Sequence, residues 1–208
     1  AYNDKQLQIM NTAEKLFSNK GFDGTSVRDI AEEAGVNLAM ISYYFGSKEK
    51  LMQALFEERT SYIRLRVEDL LKNTHLTPLE KIYQLIDDYV DRVLDRQKFY
   101  KIMICEQMLG KNEGVIQLLN EIKLKNSELS GKLIKEGQEK GVFRKDVDVV
   151  FLQNTMIGTI AQAFINQDYY KVMNHLEDMP EAEFNQFLKN KLSNHIKLIF
   201  KALLTHES

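Results

Sequence analysis

Between Thr25 and Leu51 the chain reads TSVRDIAEEAGVNLAMISYYFGSKEKL, two amphipathic segments split by Gly35 and each too short to stand alone. Isolated helices under about 12 residues are marginal in water, so each segment must be held by its neighbours. Val27, Ile30, Ala31 and Ala34 mark the inward face of the first segment, and Ile41 and Phe45, four apart, that of the second. Thr25 and Ser26 offer side-chain oxygens to the orphan amides of the first helix, with Asp29 in its first turn, and Asn37 can cap the second. Upstream, Ile9, Ala13, Leu16 and Phe17 share one face of a helix that stops at Gly21; downstream, Ser47 caps a helix opening with Lys48. Two helices of about two turns joined by three or four residues that include a glycine form a helix-turn-helix, here about residues 25–45, whose second helix lies in the major groove of DNA.

With Ile41 and Phe45 turned inward, the opposite face of the second helix carries Leu38, Ala39, Ser42 and Tyr43. Leu38 and Ala39 can meet thymine methyl groups, and Ser42 can pair with either kind of base edge. Tyr43 and Tyr44 are long enough to reach phosphates, and Tyr44 can equally be half core. Lys48, at the amino end of its helix, suits a phosphate, and Thr25 can serve as both cap and phosphate contact. Arg28 can reach a guanine or the flanking backbone, or pair with Glu32 four residues on. Against a DNA partner stands the charge of residues 1–50. Lys5, Lys15, Lys20, Arg28, Lys48 and Lys50 face Asp4, Glu14, Asp23, Asp29, Glu32, Glu33 and Glu49, a net of −1 where a basic stripe is the usual footprint. That balance predicts modest nonspecific affinity and a shallow salt dependence, with helix ends and hydroxyls replacing some of the missing lysines.

The segment Ile9–Leu51 resembles the amino-terminal domain of the TetR/AcrR family of transcriptional regulators. The resemblance is carried by Ala13, Leu16, Phe17, Gly21 and Phe22; by Thr25, Ser26, Val27, Asp29, Ile30 and Ala31; by Ala34, Gly35 and Val36; and by Tyr43, Tyr44, Phe45, Gly46, Ser47, Lys48, Glu49 and Leu51. It implies a homodimer that binds a palindromic double-stranded operator, by family habit as a repressor, and lets go when a small molecule occupies its carboxy-terminal domain. Two departures stand out: Ser42 where many members have an aromatic, and Tyr44 where many have histidine. Residues 1–50 are then the DNA-binding domain, with Thr25, Ser26, Arg28, Asn37, Leu38, Ala39, Ser42, Tyr43, Tyr44 and Lys48 as its candidate contacts. Residues 51–208 form the effector-binding and dimerisation domain.

Two prolines, Pro78 and Pro180, ten glycines and few strand signals in 208 residues make the chain all-α, with about nine helices. Beyond Leu51, helices are expected from Ser47 to about Lys72, Pro78 to Leu94, Gln97 to Leu109, Gly114 to Lys140, Asp146 to Asn166 and Glu181 to Leu204, with a bend near Gly131 and Gly137. Residues 167–179 are a loop or a short helix. The single Cys105 excludes an internal disulfide and fits a reducing compartment. No leader opens the chain and no apolar run is long enough to span a bilayer, so a cytoplasmic protein is expected. His75, His175, His195 and His206 form no HExxH or di-iron spacing, and neither a phosphate loop nor a nucleophile setting appears. The expectation is a non-enzyme without metal or cofactor. The rival to a regulator is a helical ligand- or protein-binding module with a vestigial DNA-binding head.

The helices at about 147–166 and 181–204 are the expected dimer contact. The first offers Phe151, Asn154, Thr155, Gly158, Thr159, Ala161 and Gln162; the second offers Phe184, Phe187, Leu188, His195, Ile196, Ile199 and Leu203. These stripes can also face their own core. An effector pocket is expected between the helices from Pro78 to Asn166, with Phe99, Tyr100, Met103, Ile104, Met108, Met156 and Phe164 as lining and Glu106, Gln107 and Asn154 as polar anchors. Such a Met and aromatic set also serves as ordinary core. The helix from Ser47 to Lys72 is the natural lever between the two activities.

Overall fold

The structure, a computed structural model, describes residues 2–110 and 112–206. Ten helices and no strand occur among them: α1 Asp4–Lys20, α2 Val27–Glu33, α3 Leu38–Phe45, α4 Lys48–Lys72, α5 Pro78–Asp95, α6 Gln97–Leu109, α7 Glu113–Glu139, α8 Val149–Ile165, α9 Gln167–Met173 and α10 Glu181–Leu204. The all-α expectation holds, with one helix more than counted from the sequence. The tenth is α9, in the stretch left open between loop and short helix. Its seven residues follow α8 after Asn166, whose carbonyl accepts the Tyr170 amide at 2.9 Å. The cap of α8 also lies two residues later than expected. Asp148 accepts the amides of Val150 and Phe151, while Asp146 pairs with Arg144 at 2.8 Å.

Two compact units divide the chain: Ala1–Tyr62 with Arg96–Leu124, and Ile63–Asp95 with Lys125–Ser208. The packing units therefore do not follow a cut at residue 50, because α6 and the start of α7 fold with the amino-terminal helices. In the first unit α6 packs on α1, α1 on α2 and α2 on α3. Its core joins Ile9, Met10, Ala13 and Phe17 of α1 to Ile30, Ile41 and Phe45, and to Phe56 and Phe99, whose ring centroids lie 5.1 Å apart. A buried polar knot ties α4 to α1. Arg59, 7% exposed, donates to Glu14 at 2.8 Å and to Asn11 at 2.6 Å, and also meets Glu58.

In the second unit α10 packs on α5 and α8, and Phe184, Leu188, Leu192, Ile196 and Phe200 fill its interior. Lys81 of α5 is almost fully buried and donates to both carboxylate oxygens of Glu136 at 2.9 Å, while Lys140 reaches the same carboxylate at 2.6 Å. Burial pushes the Glu136 carboxyl up, but the hydrogen bonds and charges of Lys140 and Lys81 outweigh it and hold the group below the usual carboxylate range. A carboxylate depressed in the folded state contributes stability above its unfolded pKa and loses it as pH falls through the folded one. Acid titration should therefore cost wild type more stability than Glu136→Gln below pH about 4.5, as read by urea midpoints at several pH values. Equal pH slopes for the two proteins would refute this role.

Two of the three glycines of α7, Gly131 and Gly137, differ in their surroundings. A Cβ on Gly137 would lie 2.0 Å from the ring of buried Phe143, whose amide bonds back to the Gly137 carbonyl at 3.1 Å; a Cβ on Gly131 would meet nothing within 4 Å. Gly131→Ala should raise stability by about 0.5–1 kcal/mol, since glycine is the weaker helix former. Gly137→Ala should lower it by about 1–3 kcal/mol through overpacking. Thermal melts that moved both variants in the same direction would contradict the packing.

Candidate nucleic-acid interface

The helix-turn-helix is closed by local chemistry. Ser26 begins α2 with a capping box: its hydroxyl accepts the Asp29 amide at 3.1 Å and the Asp29 carboxylate accepts the Ser26 amide at 2.8 Å. The Ser26 backbone N–H, and then its hydroxyl, hold the Asp29 carboxyl below its ordinary value. Gly35 takes φ 60 past the end of α2, and the amides of Gly35 and Val36 return to the carbonyls of Glu32 and Ala31 at 3.1 and 3.0 Å. That crossed pair is the Schellman stop, and it needs a residue tolerant of positive φ where it turns. Asn37 then accepts the Ala39 amide at 2.9 Å and starts α3.

The face division expected for α3 is present. Ile41 and Phe45 are buried, while Leu38, Ala39 and Ser42 are exposed and Tyr43 is 84% exposed. Tyr44 is half-buried with its ring edge-on to Tyr43 at 5.2 Å, which fits a core body with an outer rim. Arg28 is exposed and makes no ion pair with Glu32 among the described residues, so its guanidinium faces water. Ser26 and Asn37 are exposed as well.

Two candidates take a different place. Thr25 is 1% exposed and its hydroxyl donates to the Gly21 carbonyl at 2.8 Å, so it neither caps α2 nor offers a side chain to phosphate. Ser26 does the capping: its backbone is extended, as a cap requires, and its hydroxyl is free to accept the Asp29 amide, whereas the Thr25 hydroxyl is turned to Gly21. Lys48 is half-buried, and its ammonium donates to the carbonyls of Phe22 and Thr25 at 2.8 and 2.9 Å while lying 4.1 Å from the centre of the Phe22 ring. An ammonium has three donors, so one is left for a phosphate. Lys48→Met should weaken DNA binding alike for every sequence and speed hydrogen exchange at residues 22–25; a variant with full affinity would remove Lys48 from the interface.

Phe22, part of the family motif but not among the candidate contacts, proves central to the turn. Its carbonyl is held by Lys48, its ring lies 5.4 Å from that of Phe17, and its amide donates to the carboxylate of Glu106 in α6 at 3.3 Å. Glu106 is 8% exposed, so the carboxylate expected to anchor an effector instead reaches back to the turn before α2. No local signal could reveal a contact spanning 84 residues.

The other effector candidates scatter. Phe99 and Tyr100 are buried with Phe56 in the first unit's core, and Met103 and Ile104 are half-buried on the same helix. Gln107 is exposed and Met108 75% exposed. In the second unit Asn154 is exposed, Phe164 is half-buried, and Met156 lines a cavity of about 30 Å³. The rest of that cavity comes from residues not expected there: Ile82, Leu85 and Ile86 of α5, Ser130 and Ile134 of α7, Val149, Leu152 and Gln153 of α8, and Phe200 of α10. Most of them are ordinary aliphatic core residues by sequence, and Ser130, Gln153 and Phe200 carry no pattern of their own, so the set gave no signal. Among the described residues no three His, Cys, Asp or Glu side chains cluster to hold a metal, and no helix is long and apolar enough to cross a membrane.

Comparison with known proteins places this geometry. A family model described as bacterial regulatory proteins, tetR family, matches residues 9–55, and one described as tetracyclin repressor-like, C-terminal domain, matches residues 78–189. A probable HTH-type transcriptional regulator of Bacillus subtilis, YttP, is 29% identical over 134 residues, covering 64% of each chain. The HTH-type transcriptional repressor NicS of Pseudomonas putida is 30% identical over 147 residues, 67% of this chain and 66% of its own. The chain thus spans just under two thirds of the length of these two relatives. Among solved structures, the transcriptional regulator FadR of Bacillus subtilis in complex with stearoyl-CoA aligns with a TM-score of 0.66 at 23% identity, over 91% of this chain and 96% of its own. With the second family model alone spanning more than half of the residues, the chain belongs to the TetR family of bacterial regulatory proteins.

Proposed function

We propose that this chain is a ligand-responsive repressor that binds a palindromic operator as a homodimer and is released by a small, partly apolar effector. Residues 1–50 read the DNA, and residues 51–208 supply effector binding and dimerisation. The observation that carries the reading is α3: an uncharged face of Leu38, Ala39, Ser42 and Tyr43 stands exposed on a helix pinned from behind by Ile41 and Phe45. One short helix reads too few bases to be selective, and a two-fold dimer doubles the site at a spacing of about 34–36 Å.

The apolar cavity against α5, α7, α8 and α10 supports an aliphatic effector. At about 30 Å³ it must open to admit one, and the unbranched Met156 beside it can give way. The stearoyl-CoA carried by the FadR relative is of that chemical kind. An effector acts only by favouring one dimer geometry over the other. The net charge of −1 over residues 1–50 favours the rival reading, a helical module with a vestigial head. Gel shifts of the full chain on DNA flanking its own gene separate the two: a salt-sensitive complex with one fragment is expected, and none with any fragment would overturn the regulator.

A further inference from the structure

We infer that the operator is read chiefly through thymine methyl groups, with Leu38 and Ala39 of α3 selecting half-sites that carry A·T pairs beneath them. The inference rests on the operator-binding reading above and adds the chemistry of what is read. From Leu38 to Phe45, α3 has no Arg, Lys, Asn, Gln, Asp or Glu. The bidentate pairings that single out guanine or adenine, and the carboxylate that singles out cytosine, are therefore absent from the helix that enters the groove.

Its flanks do not make up the lack. The Asn37 side-chain oxygen accepts the Ala39 amide at 2.9 Å and is used as a cap. The Lys48 ammonium is turned to the Phe22 and Thr25 carbonyls. What α3 presents is Leu38, 39% exposed, with Ala39, the Ser42 hydroxyl and the phenol of Tyr43. In the major groove the apolar feature a base pair presents is the thymine methyl. Leucine over a thymine buries two apolar surfaces, whereas leucine over a G·C edge strips water from donors and acceptors and returns no hydrogen bond. Ser42 serves as donor or acceptor for either pair, so it tunes more than it selects. Exposed Arg28, on α2, leaves a guanine contact to the flank of each half-site.

The test is selection of duplexes from a random pool by the full chain, then titration of the enriched duplex with thymines replaced one at a time by uracil. Uracil keeps the pairing and removes only the methyl group. Replacement under α3 should cost about fourfold in affinity per methyl, the factor for one buried CH₂. Leu38→Ala should cost a similar factor on the thymine duplex and none on the matching uracil duplex. An enriched duplex whose uracil forms all bind within about 1.5-fold of the parent would overturn the inference and leave the operator-binding reading intact. So would full uracil sensitivity retained at every position in Leu38→Ala. A pool in which no duplex is enriched would instead remove the operator-binding reading, and this inference with it.

Discussion

Replacing Phe151 and Leu198 together with aspartate should turn the chain from dimer to monomer in sedimentation and cut operator affinity by about 10²-fold or more. The exposed residues of α8 recur at helical spacing: Val150, Phe151, Asn154, Ile157, Gly158, Gln162 and Ile165. On α10, which packs against α8, the exposed residues include Lys191, Asn194, His195, Leu198, Ala202 and Leu203. Phe151 is 72% and Leu198 69% exposed, an unusual place for such side chains unless a partner covers them. Gly158, exposed on α8, has open space where its Cβ would be, which lets another helix approach closely. Two aspartates there would have to be desolvated opposite their symmetry mates, a cost no rim contact offsets. Without the dimer the second half-site loses its effective concentration, and binding falls by the avidity factor. A variant that stays dimeric, or a monomer that binds as tightly as wild type, would rule out this face as the interface.

Arg59→Met should destabilise the protein by about 3–5 kcal/mol, because it strands the Glu14 carboxylate in a nearly dry site. For a domain of this size that corresponds to a melting point lower by roughly 6–20 °C. Burial of Arg59 works against its charge, but the hydrogen bonds and charges of Glu14 and Glu58 outweigh it and raise its pKa further. The interaction joins α1 to α4, so its loss loosens the frame on which α2 and α3 are mounted. The double variant Glu14→Leu, Arg59→Met removes both charges and should recover most of the loss. A single Arg59→Met variant within about 1 kcal/mol of wild type in a urea titration would show that water already reaches the site.

What the sequence revealed and what it hid follow from the range of the forces involved. Gly35 and Asn37 before Ala39 act within about five residues, so the turn and the cap of α3 could be read directly, whereas the cap of α2 lies open between Thr25 and Ser26 in the sequence and falls to Ser26. The inward pair Ile41 and Phe45 followed from the 3.6-residue period alone. The apolar stripe of α10 misled, because Phe184, Leu188 and Ile196 look like a dimer face and yet are buried within their own unit. Periodicity shows that a face is covered and says nothing of whether the cover is the same chain or another copy. For the same reason Phe99 and Tyr100 resembled a pocket lining, while the cavity found at Met156 is walled by residues that resemble plain core. Lys48 and Glu106 have partners far off in the chain, and the contact of Glu106 forms only once α6 has docked on α1.

The grip of Glu106 on the Phe22 amide, with Lys48 on the carbonyl of the same residue, makes one proton a reporter of two helices. Whatever draws the end of α6 away from α1 breaks the Glu106 contact and leaves that amide open to exchange. Its exchange rate, followed with no DNA in the tube, would serve as a screen for molecules that loosen the head, including ones whose binding site is still unknown.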